Sequence, residues 1–364
     1  MKFSSKLYLF LLIFCPLIPR SGGADIVAIQ WVALSIITIF GLILVLKKKI
    51  DNQIKFNLLN TPLYIFSAYL VVAFISIFFA INKVESYISI SKIFLVFANL
   101  YILHTMLSYV NLKFAREFSI SLVVLFLVIE TLYSLLPMVY YTDFTNFQFA
   151  YANEFMKGLG GNKNITAASI MIKIPFLIYF FKNQKIKILK FFSIIMIGVS
   201  SLTVLYLGSR AAYISLFILI FLLLIWIIIK LAKKSSFQFY RPELLSLVFI
   251  ISALIFYNSS IPSEDKGSVQ NRMEFVSNPS SLDNSAKQRL RYYGQAINYF
   301  TQNPLMGAGI GNWKIISIKL DKENIVSYIM PYNLHNDFLE VLGETGIFGF
   351  IFYASFFASM FLIL

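Results

Sequence analysis

Apolar residues along this chain gather in long continuous runs instead of the narrow stripes that mark amphipathic helices. Most runs hold roughly 18 to 21 residues, the length that an α-helix needs to cross a hydrocarbon core about 30 Å thick. The runs predict membrane helices at 7–19, 26–46, 61–81, 90–108, 117–136, 164–181, 190–207, 211–229, 243–257 and 346–364. The predicted fold class is therefore all-α, a polytopic helical membrane protein with about ten membrane helices in this sequence.

The first and last runs differ from the others. The first is short and is interrupted by Pro16 and Pro19, so it is either a membrane helix or part of a signal peptide of residues 1–24, cleaved after Gly22-Gly23-Ala24. The last reaches Leu364 without a polar tail. We therefore expect the sequence to be truncated from a protein with about 12 membrane helices.

Positive charges predict the orientation, because the cytoplasmic loops of membrane proteins carry an excess of Lys and Arg. Alternate short loops hold 16 cations in one set and 5 in the other. The larger set is Lys2, Lys6, Lys47, Lys48, Lys49, Lys55, Lys113, Arg116, Lys182, Lys185, Lys187, Lys190, Lys230, Lys233, Lys234 and Arg241, and the smaller is Arg20, Lys83, Lys157, Lys163 and Arg210. We predict a cytoplasmic N-terminus, with an external loop at about 137–163.

The same orientation divides the chain into three topological segments. Residues 1–257 hold the first nine predicted membrane helices. Residues 258–345 form one long external loop, which is the stretch polar enough for an extramembrane structure, and 346–364 begin the C-terminal membrane helices.

The composition excludes several classes of protein. Hydrophobic residues make up 59% of the chain and charged residues only 13%, about half the charged share of a soluble protein. Membrane topology accounts for most of the net charge of +14, so nucleic acid is not an expected partner. The chain has one cysteine, Cys15, which excludes a disulfide framework. It has two histidines, His104 and His335, too few to favour a histidine-rich metal site. We expect chemistry that uses no metal.

Polar residues in and beside the membrane helices provide the first candidates for a functional site. Gly208-Ser209-Arg210 forms a turn of about three residues between two membrane helices. Arg210 either snorkels to lipid phosphates or presents a fixed cation to an anionic substrate headgroup. Lys92 and Glu130 lie nearer the external ends of their helices and are placed to line a cavity there. Lys173 lies mid-span and is expected to face the bundle interior.

The long external segment contains a predicted amphipathic helix that begins near residue 284 and ends before Pro304. Arg289 lies beside its apolar stripe, whereas Arg291 lies on a different face and is expected to be solvated. Arginine suits phosphate because its planar guanidinium donates to two oxygens at once. The Gly307–Asn312 segment is only superficially similar to a dinucleotide fingerprint, since a helix precedes it, so its glycines are expected to let the backbone turn tightly near a ligand or another helix.

The densest polar cluster is His335-Asn336-Asp337-Phe338-Leu339-Glu340 with Glu344, just before the last membrane helix. His335 either caps a helix or accepts a proton from a hydroxyl group at neutral pH. At helical spacing, Glu340 and Glu344 share a face that lies away from His335. His104 lies near the cytoplasmic end of its helix and is expected to be structural.

Four motifs occur in one order at the predicted external side. They are Gly208-Ser209-Arg210-Ala211-Ala212, Gln288-Arg289-Leu290-Arg291-Tyr292-Tyr293, Asn303-Pro304-Leu305-Met306-Gly307-Ala308-Gly309-Ile310-Gly311-Asn312-Trp313, and His335-Asn336-Asp337-Phe338-Leu339-Glu340 with Gly343-Glu344-Thr345-Gly346. With Gly160-Gly161-Asn162-Lys163-Asn164, they resemble the O-antigen ligase and polymerase superfamily of bacterial glycan-transferring membrane proteins. Each motif is weak alone, but the four in order form a specific signal, which is strongest over about 190–350.

The resemblance implies an inverting glycosyltransferase that needs no metal, nucleotide or other cofactor. Its donor would be a glycan on undecaprenyl pyrophosphate, used at the periplasmic face of the bacterial inner membrane. Arg210 and Arg289 match the arginines expected to hold the pyrophosphate, and His335 matches the general base expected to deprotonate the acceptor hydroxyl. The residues expected to support the site are Arg291, Asn336, Glu344 and Lys92.

The resemblance leaves the acceptor open. A ligase would transfer the glycan to a lipid A core sugar, and this is the preferred hypothesis. A polymerase would use a growing polysaccharide, and an O-oligosaccharyltransferase a protein hydroxyl. A transporter of the lipid-linked glycan is a further alternative, although transporters tend to repeat mid-membrane charges in two halves. Membrane lipids are expected partners in every case.

Overall fold

The computed structural model describes residues 3–18, 27–50, 60–108, 111–141, 155–159, 161–234, 236–260, 284–325 and 332–363. These residues form helices and contain no β-strand, so the predicted all-α class is confirmed. The helices are α1 (Phe3–Phe14), α2 (Ala28–Ile50), α3 (Thr61–Ser76), α4 (Lys83–Leu107), α5 (Leu112–Tyr141), α6 (Lys163–Asn183), α7 (Lys187–Leu207), α8 (Arg210–Ala232), α9 (Phe237–Ser260), α10 (Asn284–Gln302), α11 (Trp313–Asp321) and α12 (Asp337–Ile363). Short 3₁₀ turns follow three of them, at Cys15–Leu17, Ile77–Phe79 and Lys322–Asn324.

Nine helices of the described chain are long and apolar enough to cross a membrane, and they match nine of the predicted runs. The exception is α1, which has only 12 residues. The last membrane helix begins at Asp337 rather than at the predicted residue 346. The difference arises because polar residues 337–345 are helical too, and Gly346 joins them to the apolar run through a kink with φ 67° and ψ −164°.

Some predictions concern residues outside the described ranges. The cleavage site at residues 22–24 is one of them. Others are most of the predicted external loop at 137–163, and residues 261–283 and 326–331 of the long external segment. The described part of that segment contains α10, so the amphipathic helix predicted to begin near residue 284 and to end before Pro304 is confirmed.

The chain divides into two compact units. The first unit contains Met1–Tyr8, Arg20–Leu112 and Ser281–Leu364, and the second contains Leu9–Pro19 and Lys113–Ser280. In the first unit, α12 packs along α3, α2 along α4, and α10 and α11 against the first half of α12. The rings of Phe66 in α3 and Phe356 in α12 pack in a tilted arrangement, with their centroids 4.8 Å apart. This packing brings the beginning and the end of the chain together in one unit.

In the second unit, α7 packs between α6 and α9, and α8 contacts α6, α7 and α9. Lys173 of α6 faces the interior, as predicted, where its Nζ lies 2.8 Å from Glu130 Oε2 of α5. The ion pair ties α5 to α6, and both side chains are largely buried, with 15% of the Lys173 side chain and 5% of the Glu130 side chain exposed. Glu130 as a whole residue is 3% exposed and is buried against Lys173, so the prediction that it is open to an external cavity is wrong. Asn162 caps α6 by accepting a hydrogen bond from the Asn164 N–H at 2.9 Å.

Candidate functional site

A glycine-rich loop, residues 304–312, contacts the first half of α12, the turn after α3 and the beginning of α4 within the first unit. Gly307, Gly309 and Gly311 have φ values of 57°, 83° and 76°, a region that L-residues with side chains rarely adopt. A Cβ atom at any of the three would lie within 3.0 Å of a neighbouring helix or turn. The glycines therefore allow the loop to pack against other helices, which was one of the two interpretations predicted from the sequence.

Glu344 fastens this loop to α12. Its two carboxylate oxygens accept hydrogen bonds from the backbone N–H groups of Gly311 and Trp313, each at 2.8 Å. The side chain is buried, with 6% of the residue exposed. Two backbone bonds add to the attachment, since Ala308 N–H donates to Gly343 O and Ile347 N–H to Pro304 O, both at 2.9 Å. Glu344 thus holds the loop in place through the backbone.

Asn312 fastens the other side of the loop to the beginning of α4. Its amide nitrogen donates to Ser86 Oγ at 2.8 Å and to Asn82 O at 3.2 Å, and its amide oxygen accepts from Asn82 N–H at 2.8 Å. Lys314 also forms an ion pair with Glu85 of α4. The loop is consequently held between helices that lie more than 200 positions apart in sequence.

His335 directly precedes the residue that caps α12. Asn336 Oδ1 accepts a hydrogen bond from the Leu339 N–H at 3.2 Å, so the helix cap is Asn336 rather than His335. His335 itself is exposed and has a φ of 58°, which is rare for a residue with a side chain. Its carbonyl accepts a long hydrogen bond of 3.4 Å from Tyr293 Oη of α10. This contact ties the backbone of His335 to the helix that carries Arg289.

The electrostatic environment of His335 favours a neutral imidazole. Desolvation by the surrounding protein lowers the pKa of His335, and the nearby positive charge of Arg289 lowers it further. A pKa below the usual value of about 6.5 leaves the ring largely unprotonated at neutral pH. An unprotonated ring can accept a proton, as a general base must.

The two arginines of α10 have different surroundings. Arg289 is exposed, and the described part of the chain contains no hydrogen bond or ion pair to its guanidinium. Arg291 lies over Asp321, with its Nε 2.9 Å from Oδ1 and its Nη2 donating to Oδ2 at 2.9 Å. Asp321 is 1% exposed. Arg291 therefore joins α10 to α11. The prediction that its guanidinium is solvated is wrong, because it is paired with Asp321.

A cavity of about 630 Å³ lies within the first unit beside these groups. Lys92 lines it, as predicted for a lysine near the end of its helix. Glu340 and Glu344, which were predicted to share one helix face, both line it as well. Asn333 and Asp337, which flank His335 and Asn336, line it too. The remaining lining residues are Trp31, Phe66, Tyr69, Ser89, Ile93, Val96, Leu100, Ile310, Gly311, Lys314, Tyr332, Val341, Tyr353, Phe356 and Phe357. The His335 segment thus borders a cavity with both charged and aromatic walls.

Several residues of this site were not singled out from the sequence. Trp31 of α2 lies under Lys92, whose Nζ is 5.3 Å from the ring centroid. Lys314 reaches the cavity from α11 and pairs with Glu85. Lys314 could have been noticed because it is a charged residue in the otherwise apolar start of α11. Trp31 gave no such signal, because a tryptophan is ordinary within an apolar run. No group of three His, Cys, Asp or Glu side chains suited to a metal ion occurs in the parts of the chain that are described.

Arg210 belongs to the second unit and is described there by itself. Gly208 ends α7 in the left-handed region with φ 68°, and α8 begins two residues later at Arg210. The tight turn predicted from the sequence is thus confirmed. Tyr213 N–H donates to Ser209 O at 3.0 Å and Tyr213 Oη to Leu205 O at 2.7 Å, so the turn is held from both sides.

Comparison with models of protein families finds one described as O-Antigen ligase, which matches residues 194–354. The matched range begins in α7 and ends in the second half of α12. It therefore includes the turn before Arg210, the helix that carries Arg289, the glycine-rich loop and His335. Searches of curated proteins and of solved structures found no match.

Proposed function

We propose that this multi-pass membrane protein transfers a glycan from undecaprenyl pyrophosphate to an acceptor hydroxyl, a proposal supported by the match of residues 194–354 to a family model described as O-Antigen ligase. The preferred acceptor is a sugar of the lipid A core, which would make the protein a ligase of lipopolysaccharide biosynthesis. The proposed reaction takes place at the periplasmic face of the inner membrane. The observation that carries the proposal is the position of His335, exposed beside the cavity and joined through its carbonyl to the helix that carries Arg289. Desolvation and the positive charge of Arg289 both lower the pKa of His335.

In the proposed mechanism, His335 accepts the proton of the acceptor hydroxyl. The acceptor oxygen forms a bond to the anomeric carbon from the face opposite the pyrophosphate, so the configuration inverts. The bond between the anomeric carbon and the pyrophosphate oxygen breaks, and undecaprenyl pyrophosphate leaves with the electron pair. The reaction balances without a metal, nucleotide or oxidant, because the pyrophosphate is already an activated leaving group.

Arg289 is proposed to bind the pyrophosphate and to stabilise the charge that develops on it. Its side chain is exposed, so its guanidinium donors are accessible to a ligand. A fixed cation that meets growing negative charge lowers the barrier of such a transfer. Arg210 keeps the pyrophosphate-binding role predicted for it, as a proposal that depends on the sequence motif.

The supporting residues are proposed to act through position. Asn336 orients the backbone after His335 by capping α12, and Glu344 holds the glycine-rich loop beside the cavity. Arg291 sets the place of α10, and with it that of Arg289, through its ion pair with Asp321. Lys92 lines the cavity and is placed to meet an anionic or polar group of a substrate there.

The experiment that tests the proposal is glycan transfer by the purified full chain, with lipid-linked donor and three separate acceptors. His335→Ala is expected to lower the transfer rate by about 100-fold to 10,000-fold, the usual contribution of a general base. His104→Ala is the matched control, since it removes the other histidine of the chain, which lies in α4. Transfer by His335→Ala at the rate of the control would contradict the assignment.

The acceptors separate the members of the family. Transfer to a lipid A core sugar supports the ligase, elongation of a lipid-linked glycan would indicate a polymerase, and transfer to a peptide hydroxyl would indicate a protein O-oligosaccharyltransferase.

A further inference from the structure

A second cavity, of about 750 Å³, lies within the second unit and takes no part in the proposed reaction. It opens where three helix ends meet: the end of α6 at Phe181, the beginning of α7 at Lys187 and Lys190, and the beginning of α9 at Arg241 and Pro242. Phe191, Ile194, Leu245 and Phe249 complete its lining. These ends belong to the side of the membrane that the distribution of positive charge predicts to be cytoplasmic.

Three cations and no carboxylate line this cavity in the described chain. Lys190 is held at its wall, with Nζ 5.6 Å from the centroid of the Phe181 ring. The nearby buried carboxylate of Glu243 is paired with Lys182, whose Nζ lies 2.6 Å from Oε1. Glu243 is thus neutralised by a lysine outside the lining, and the cavity keeps an excess of positive charge.

The beginning of α7 adds backbone donors to this charge. Its N-cap is Ile186, which has no side chain able to accept a hydrogen bond from the first-turn N–H groups. Such a helix end attracts anions, because its N–H groups and the helix dipole both favour negative charge. The cations of Lys187 and Lys190 project from the same turn. One anionic group can therefore meet side-chain and backbone donors together.

Below the charged rim, the wall of the cavity is apolar. Phe191 and Ile194 follow along α7, and Leu245 and Phe249 follow along α9. Phe191 is 66% exposed, so its ring is available to a neighbouring chain of hydrocarbon. A positive rim above an apolar wall is the arrangement that an amphiphile with an anionic headgroup requires.

We propose that this cavity is a binding site for an anionic phospholipid of the cytoplasmic leaflet. The lipid phosphate meets Lys187, Lys190 and Arg241, and an acyl chain lies along the apolar wall between α7 and α9. Topology alone does not require this convergence, because Lys185, Lys233 and Lys234 carry charge on the same side of the membrane without lining the cavity.

The test is native mass spectrometry of the delipidated full chain in detergent. Phosphatidylglycerol and phosphatidylcholine with identical acyl chains are titrated separately, and inorganic phosphate is added as a competitor. The chain is expected to retain phosphatidylglycerol in preference to phosphatidylcholine. The triple variant Lys187→Gln, Lys190→Gln, Arg241→Gln is expected to lose about 10-fold to 100-fold in affinity for phosphatidylglycerol.

The matched control is the triple variant Lys185→Gln, Lys233→Gln, Lys234→Gln, which removes the same charge from residues outside the lining. It is expected to bind phosphatidylglycerol as the unchanged protein does. Equal losses in the two triple variants, or equal affinity for both lipids, would overturn the site. Displacement of the lipid by inorganic phosphate would identify a phosphate site instead. Size-exclusion elution checks folding, and the single variant Lys187→Gln replaces the cavity triple if that variant does not fold.

Discussion

Replacement of Glu344 by alanine is expected to release the glycine-rich loop from α12. Glu344 accepts the N–H groups of Gly311 and Trp313 at 2.8 Å, and only 6% of the residue is exposed. Alanine would leave both N–H groups without an acceptor, that of Trp313 buried and that of Gly311 partly buried. An unsatisfied buried group costs about 1–3 kcal/mol, so the free energy of unfolding should fall by at least about 1–3 kcal/mol from the Trp313 group alone. The free energy of unfolding of Glu344→Gln should lie between those of the unchanged protein and Glu344→Ala, since the glutamine amide keeps one acceptor oxygen.

Trp313 is the natural reporter of this change, because it is 1% exposed and its own N–H is one of the two groups released. The chain has three tryptophans, so a background with Trp31→Phe and Trp226→Phe leaves Trp313 as the single tryptophan, which is excited selectively at long wavelength. In that background, Glu344→Ala should shift the emission of Trp313 to longer wavelength. When the protein is unfolded in mixed micelles, the midpoint of the unfolding transition should be lower for Glu344→Ala than for the background protein.

Glu323→Ala provides the control, since Glu323 is an exposed glutamate in the 3₁₀ turn Lys322–Asn324 of the same unit. Its effect should stay within about 0.5 kcal/mol. The reasoning would be refuted if Glu344→Ala changed stability as little as Glu323→Ala and left the emission of Trp313 unshifted.

The pH dependence of glycan transfer should reveal Arg289 acting on His335. Desolvation and the charge of Arg289 lower the pKa of His335, so transfer should fall on acidification only below about pH 6.5. Arg289→Ala should move that fall to higher pH, whereas Arg289→Lys should leave it in place. Identical pH profiles for the two variants would contradict this. Gly309→Ala should destabilise the first unit, because the site needs a φ of 83° and a Cβ there would lie within 3.0 Å of Ala80. Gly294→Ala, on α10 with nothing within 4 Å of the added Cβ, should instead stabilise it by up to about 1 kcal/mol; unfolding midpoints of the two variants check the contrast.

The membrane helices were predictable because the bilayer imposes a length on every apolar run. The beginning of α12 was not, since Asp337, Glu340 and Glu344 are polar and the apolar run starts only after them. Their helix is stabilised by contacts that a local pattern does not contain, namely the cap by Asn336 and the backbone bonds to the glycine-rich loop. Polar composition therefore placed the predicted start of the membrane helix at residue 346, nine residues after the helix begins at Asp337.

The site was predictable as a set of residue types and less so as a set of partners. Spacing along a helix was enough to place Glu340 and Glu344 on one face, and both line the cavity. Spacing could not identify Gly311 and Trp313 as the donors to Glu344, nor Asp321 as the partner of Arg291. Those pairings depend on how α10, α11 and α12 pack against one another. Partners that meet through such packing have no fixed spacing in the sequence, so a local pattern cannot identify them.

The division into units also has a consequence for the order of assembly during synthesis. The larger part of the second unit, Lys113–Ser280, is continuous in sequence, so most of its helices can pack as they emerge. The first unit is discontinuous, and the bond between Asn82 and Asn312 joins residues 230 positions apart. At about 5–20 residues per second, Asn82 waits roughly 10 to 50 s for its partner. Throughout that interval, α3 and α4 are already synthesised while the glycine-rich loop and α12, which they contact in the folded first unit, are still missing.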